Sequence, residues 1–364
     1  MKDAQQKIKA MRYCMALGYV PHLEVLVRYT ADVGDAPCDL TDIDVYGVRP
    51  GGAAPVLRVI FDCKSSSKLS GINRALWARG LVDFVGATEA FVILGKPPVE
   101  AHRLAGNSFG VRIFSETLFD SFAAAASPDY RLRNSYLESM DAWQKLFDAK
   151  KTFPLLADYI THLVSTAPLQ RNSTQGLRTL MSKVRSVRGE LDPTKPVHRA
   201  VYNATLTQLC MFVAEVVRDF NNVFDPTAQK AGFEAVLRNF IWGGKESYDL
   251  RQRLNVALKA QRGVNEPEPL EFPAWERFVD YVRACLDAPL ALGAVPLPIK
   301  EMAFRELSDD RTDYVDRRLA GRLKANDRVR QFAMQASVYL VDSAKLPREF
   351  HESFAAELNA LLDQ

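Results

Sequence analysis

An acid and a lysine lie two residues apart at the end of an apolar segment of the sequence. The segment covers residues 55–62 (PVLRVIFD), and Cys63 and Lys64 follow it directly. Side chains alternate between the two faces of a strand, so Asp62 and Lys64 project from one face and Cys63 from the other. The pattern therefore predicts a carboxylate beside an ammonium group at a strand end, where a cleft can open.

A second acidic pattern precedes this strand, in residues 41–48 (TDIDVYGV). Asp42 and Asp44 share one face of that predicted strand, and 18 residues separate Asp44 from Asp62, which leaves room for a hairpin. Hard divalent cations such as Mg²⁺ or Mn²⁺ bind carboxylate oxygens and keep several waters. We expect Asp44 and Asp62 to bind such an ion.

Two neighbours complete this predicted site. The main-chain carbonyl of Cys63 is a candidate third ligand, and Lys64 is expected to offset charge that develops on a phosphodiester. An acid-x-lysine tripeptide also arises by chance as a solvated strand end. Asp42 is explained equally well as a turn or strand-start residue.

The elements around these residues alternate between helical and extended patterns. Helices are predicted over residues 4–17, 71–85 and 115–126, with Ser115 as an N-cap, and strands over 22–29, 41–48, 55–62, 90–94 and 111–114. A turn is expected through Gly34 and Pro37. Three strands in hairpins, followed by two that are reached across a helix, predict a mixed sheet with helices on both faces.

This arrangement resembles the PD-(D/E)XK, or restriction-endonuclease-like, superfamily, particularly the branch with restriction enzymes that act on modified DNA. The family pattern is a helix, a strand with an acid, an Asp-rich strand, an apolar strand ending in (D/E)xK and a further helix. Residues 4–122 match it through HLEVLVRY with Glu24, TDIDV with Asp44, and VIFDCK with Asp62 and Lys64. The proline that often precedes the first acid is absent here. The resemblance implies a metal-dependent nuclease with Asp44, Asp62 and Lys64 at its centre and Glu24 and Asp42 as supporting acids.

From about residue 130 onward, strand patterns nearly vanish. Helical windows are predicted at 134–149, 155–165, 174–188, 199–222, 227–241, 248–261, 274–287, 300–308, 313–341 and 347–362, with proline breaks at 193–196, 265–269 and 289–298. We therefore predict two domains, an α/β nuclease-like domain over residues 1–126 and an all-α recognition or interaction domain over 130–364.

Two predicted helical stretches are locally basic. Residues 171–190 and 311–330 each carry an excess of four positive charges, and either could hold phosphates, although a solvated helix face also explains them. The candidate nucleic-acid-binding residues are Arg178, Lys183, Arg185, Arg322 and Lys324.

Composition limits the remaining classes of function. The net charge of +3 does not indicate a globally basic nucleic-acid binder, and five single cysteines form no zinc or disulfide pattern. The five histidines show no zinc-site spacing, so each is interpreted as structural or exposed. No stretch has the length of an apolar membrane span, and no signal peptide is seen, which predicts a cytoplasmic protein without a membrane partner.

Together these patterns predict a cytoplasmic, Mg²⁺- or Mn²⁺-dependent endonuclease. The resemblance implies DNA more than RNA as the substrate and a role in restriction or anti-phage defence. The alternative is a catalytically degenerate scaffold subunit whose helical domain mediates protein–protein interaction. A homodimer or a larger protein complex is compatible with either.

Overall fold

A computed structural model describes residues 2–30, 38–66, 70–132, 135–225, 229–261 and 270–363. The turn expected through Gly34 and Pro37 and the proline break at 265–269 lie outside these residues.

The first third of the chain forms an α/β unit around a five-stranded sheet. Its helices are α1 (Ala4–Ala16), α2 (Gly71–Val85), α3 (Glu100–Ser108) and α4 (Glu116–Ala126). Its strands are β1 (Val20–Tyr29), β2 (Cys38–Arg49), β3 (Leu57–Lys64), β4 (Glu89–Leu94) and β5 (Val111–Ser115).

The sheet is mixed, as the sequence predicts. Its spatial order is β1-β2-β3-β4-β5, with β1, β2 and β3 antiparallel in hairpins and β3, β4 and β5 parallel across helices. The central strands β3 and β4 are almost wholly buried, which explains their near-continuous apolar sequences. The two acidic segments thus lie on adjacent strands.

Helices cover both faces of the sheet. Phe61 of β3 and Phe91 of β4 stack with ring centroids 5.0 Å apart, and Tyr13 of α1 lies within 5.8 Å of both. On the opposite face, Arg74 of α2 reaches Asp62. The predicted N-cap at Ser115 is confirmed, because its hydroxyl accepts a hydrogen bond from the Leu118 amide.

The rest of the described chain is helical. Its α-helices are α5 (Met140–Thr152), α6 (Ala157–Thr161), α7 (Ala167–Leu169), α8 (Ser173–Ser186), α9 (Pro196–Phe220), α10 (Lys230–Ile241), α11 (Lys245–Gln261), α12 (Trp275–Leu286), α13 (Pro289–Gly293), α14 (Pro296–Leu307), α15 (Asp313–Lys324), α16 (Asp327–Ala344) and α17 (Glu349–Leu362). Short 3₁₀ turns lie at Pro128–Arg131, Tyr136–Glu138, Pro154–Leu156 and Arg188–Glu190, and a π-helical turn at His162–Thr166 joins α6 to α7.

Helix α9 is the centre of the helical half. Of the described helices it alone is long and apolar enough to cross a membrane unbroken, but 94% of its most apolar window is buried inside the protein. It also contacts the sheet, because Glu215 accepts hydrogen bonds from Arg58 of β3. Buried apolar side chains of both halves form one continuous core. The division into two domains near residue 130 stays a prediction.

Several details of the predicted elements are wrong. Helix α3 lies between β4 and β5, where the sequence analysis predicts no element. The window 313–341 is two helices, because Asn326 caps the amide of Arg328 and starts α16. Pro298 lies inside the first turn of α14, where its missing amide proton breaks no helical hydrogen bond. Strand β3 continues to Lys64, two residues beyond the predicted end.

Candidate active site

The strands β2 and β3 diverge beyond the pair formed by Val45 and Phe61, and the predicted acids lie in this opening. Asp44 and Asp62 are only 4% and 1% exposed. The Lys64 ammonium nitrogen lies 2.6 Å from Asp44 Oδ2 and 3.2 Å from Asp62 Oδ1, so those oxygens are at most about 5.8 Å apart. The structure therefore brings together the three residues predicted to form the centre of the site.

Lys64 is positively charged in this setting. Burial alone would lower its pKa, but the charges of Asp62 and Asp44 and their hydrogen bonds outweigh burial and raise the pKa well above the usual lysine value. Its side chain is 21% exposed, so solvent reaches part of it. A fixed positive charge at the mouth of a carboxylate cluster results.

Asp42 and Glu24 lie beside Asp44. One carboxylate oxygen from each of Glu24, Asp42 and Asp44 lies within 4.8 Å of the others. Glu24 has a φ of 53°, a left-handed conformation that non-glycine residues adopt at a cost of roughly 1–3 kcal/mol. It interrupts the ladder between the pairs Leu23–Val45 and Val25–Ile43. We call Glu24, Asp42, Asp44, Asp62 and Lys64 the acidic fork.

A buried lysine that the sequence analysis missed also supports the acidic fork. Lys7 of α1 contacts Glu24, and its ammonium nitrogen lies 3.1 Å from Asp44 Oδ1. Burial opposes the charged form, but Glu24 and Asp44 outweigh it and raise the pKa of Lys7, whereas burial raises the pKa of Glu24. Lys7 lies among the buried positions of α1, which are spaced as one helix face. The sequence signal that could have identified Lys7 is a lysine on the apolar face of a predicted helix.

A second missed cation is Arg74, in the first turn of α2. Its guanidinium donates one 2.6 Å hydrogen bond to each oxygen of Asp62 and lies over the Trp77 ring at 4.3 Å. Such a paired arrangement fixes the position of a carboxylate. With Lys7 and Lys64, three cations therefore face the four carboxylates of the acidic fork.

In the structure Cys63 contacts the acidic fork through its main-chain amide, whereas the sequence analysis predicts its carbonyl as a metal ligand. Its thiol is buried, and its main-chain amide donates a 2.8 Å hydrogen bond to Asp44 Oδ2. Burial, followed by the charges of Asp44 and Asp62, raises the pKa of the thiol well above its usual value. Cys63 thus orients Asp44, and its role as a carbonyl ligand stays a prediction.

The donor set fits one divalent cation. Two oxygens on opposite sides of a magnesium ion lie about 4.2 Å apart, since each Mg–O distance is about 2.1 Å. The Glu24, Asp42 and Asp44 oxygens are close enough to reach that spacing with small side-chain rotations. By distance, the best-placed ligands are therefore these three acids. Both oxygens of Asp44 contact Lys7, Lys64 or the Cys63 amide, and both oxygens of Asp62 contact Arg74.

The five candidate nucleic-acid-binding residues have different environments. Arg178 donates to the Ile241 carbonyl and lies 5.4 Å from the Trp242 ring, and Arg322 contacts the fully buried Glu301. Arg185 and Lys324 are exposed on α8 and α15. Lys183 lines a cleft that begins at β1.

Comparison of the chain with protein-family models, curated proteins and solved structures finds no match. The resemblance to the PD-(D/E)XK superfamily rests on the residues and elements described above.

Proposed function

We propose that this protein is a metal-dependent nuclease of the PD-(D/E)XK kind that hydrolyses phosphodiester bonds at the acidic fork. The carrying observation is the contact of Lys64 with both Asp44 and Asp62 beside two further carboxylates, in an opening between two strands. Carboxylates for a hard cation and a lysine for phosphate charge are the residue types that this chemistry needs.

Glu24, Asp42 and Asp44 would hold Mg²⁺ or Mn²⁺, with Asp62 as a further ligand if Arg74 releases one of its oxygens. When bound, the ion would supply Lewis-acid stabilisation of charge on a phosphodiester. Lys64 would place its positive charge against the same phosphate group. Lys7 would hold Glu24 and Asp44 in place, because it contacts both and is itself buried.

The test is cleavage of plasmid, single-stranded DNA and RNA with Mg²⁺ or Mn²⁺ by the parent protein and by Lys64→Gln. The amide can still donate to Asp44 but carries no charge, so we expect a rate at least 10²-fold lower, as for loss of one electrostatic transition-state contact. Lys151→Ala, at a lysine that is 87% exposed, is the matched control and should cleave at the parental rate. Equal rates for Lys64→Gln and the parent would refute the assigned role of Lys64.

A catalytically degenerate scaffold is the second candidate, and one observation favours it. Arg74 satisfies both oxygens of Asp62, and Lys64 and Lys7 already neutralise much of the remaining negative charge. Calorimetric titration with Mn²⁺ separates the two proposals. A nuclease should bind the ion and lose it in Asp44→Asn, whereas a scaffold should bind none.

The wider role follows from the resemblance alone. We propose DNA as the substrate, with RNA as the alternative, and a cytoplasmic role in restriction or anti-phage defence. The helical half would recognise the substrate, a partner protein or a second copy of the chain.

A further inference from the structure

A cleft of about 520 Å³ lies between strand β1 and the helices that follow α5. Leu26 and Arg28 of β1 line it together with Thr161, with His162 and Thr166 of the π-helical turn, and with Lys183 of α8. We call this the histidine cleft. Its size suits a nucleotide-sized ligand.

His162 is the reason to look for a ligand here. It is 5% exposed, and neither ring nitrogen has a hydrogen-bond partner within the described part of the protein. Buried polar groups are nearly always paired, so an unpaired imidazole that lines a cleft indicates a missing partner. The π-helical turn that begins at His162 adds a second indication, since such turns are frequent at functional sites.

Among the charged groups of the cleft, Lys183 favours an anionic partner. Arg28 and Lys183 both line it, against the single carboxylate of Asp158. Arg28 is held by Asp39 at 2.6 Å, whereas Lys183 makes no ion pair with any described residue. Burial, with a smaller contribution from Lys183, lowers the pKa of His162 to about 4, so the neutral ring offers one N–H donor at pH 7.

The histidine cleft adjoins the acidic fork. Leu26 pairs directly with Asp42 across β1 and β2, and side chains of directly opposed residues lie on the same face about 5 Å apart. Arg28 is four residues beyond Glu24, or roughly 13 Å along the strand. A nucleic-acid strand that reaches the acids can therefore extend into the cleft.

We propose that the histidine cleft binds a backbone phosphate of the nucleic-acid strand, beside the phosphate held at the acidic fork. Lys183 supplies the charge, His162 donates an N–H hydrogen bond, and the threonine hydroxyls complete the contact. This proposal rests on the proposed nuclease function. It makes Lys183 the residue of the predicted basic set that contacts the substrate, and it assigns His162 a binding role.

The test measures binding without cleavage. Fluorescence anisotropy of a labelled oligonucleotide duplex in EDTA gives Kd as a function of salt for the parent, Lys183→Gln, His162→Gln and Arg185→Gln. Loss of one phosphate contact should lower the salt slope by about 0.9 and raise Kd about eightfold at 0.1 M salt. We expect this result for Lys183→Gln. His162→Gln should also weaken binding, and its melting temperature shows whether it folds.

Arg185→Gln is the matched control, because Arg185 is an exposed arginine of the same helix that does not line the cleft. An equal loss in Arg185→Gln and Lys183→Gln would overturn the proposal in favour of a diffuse basic helix face. An unchanged Kd and slope in Lys183→Gln would overturn it as well.

Two further measurements are needed. One distinguishes a strand phosphate from a free nucleotide, and the other distinguishes failure of the phosphate site from failure of the nuclease function. If deoxyadenosine monophosphate binds with a Lys183-dependent Kd while duplex binding ignores Lys183, the cleft holds a free nucleotide and the strand assignment is wrong. If Lys183→Gln weakens duplex binding but the parent cleaves nothing with Mg²⁺ or Mn²⁺, the phosphate site stands and the nuclease function fails.

Discussion

Replacing Arg74 by methionine tests whether the acidic fork has the charge arrangement seen in the structure. Arg74 gives Asp62 two hydrogen bonds of 2.6 Å and also lies over Trp77. Loss of the sole partner of a buried charge costs about 3–5 kcal/mol, but Lys64 stays 3.2 Å from Asp62 and Arg74 is 22% exposed. We therefore expect a loss of about 2–3 kcal/mol in the free energy of unfolding.

That loss should lower Tm by about 5 °C in metal-free buffer, because 1 kcal/mol shifts Tm by about 2 °C in a long chain. Arg79→Met is the matched control in the same helix. Its ion pair with Asp83 is exposed on both sides, so the change should stay below about 0.5 kcal/mol. Differential scanning calorimetry measures both.

Metal distinguishes the two proposed functions in the same experiment. If Asp62 can join the ligands, removal of its competing arginine should tighten Mn²⁺ binding, and Mn²⁺ at 100 times Kd restores about 2.7 kcal/mol. A Tm drop in Arg74→Met no larger than in Arg79→Met would refute the Asp62–Arg74 pairing. A normal drop that Mn²⁺ does not reverse, with no Mn²⁺ effect on the parent, would favour the scaffold.

Two further predictions concern buried groups outside the acidic fork. Burial holds the pKa of Lys300, whose nitrogen lies 2.9 Å from His22 Nδ1, well below 10.5. Because the unfolded chain then binds the extra proton, the stability of the parent protein should rise between pH 7 and 10. Lys300→Met should flatten that rise in thermal melts. Burial, then the charge of Glu306, raises the pKa of Glu357 to about 7. Because the folded state then binds the extra proton, the free energy of unfolding should fall by up to about 3 kcal/mol between pH 4.5 and 7. Urea unfolding should show this loss in the parent and its absence in Glu357→Gln.

Periodicity predicted most of the fold because it reports which face of an element is buried. Alternation in β2 and the apolar run of β3 indicated adjacent strands, and the pairs from Val45–Phe61 to Arg49–Leu57 confirm this. Helix α3 was missed because it is short and mostly exposed, so few buried positions mark it. The window 313–341 was not divided because both of its helices are amphipathic and only the cap at Asn326 separates them.

The core of the candidate site was also visible in the sequence, since strand parity and an 18-residue spacing depend only on local geometry. Asp44, Asp62 and Lys64 meet for that reason. The partners of these residues were not visible, because Lys7 and Arg74 come from helices whose docking is decided by the whole core. Their charges become informative only once burial and distance are known.

The same distinction applies to the basic residues and the histidines. The sequence by itself determined that positive charge gathers in residues 171–190, but it could not separate Arg178, which contacts a backbone carbonyl and Trp242, from Lys183, which lines a cleft. Nothing in the sequence indicated that His162 is anything but structural or exposed. Only the tertiary structure places β1 against the turn at His162, because packing between distant segments decides which polar groups are buried and which lack a partner.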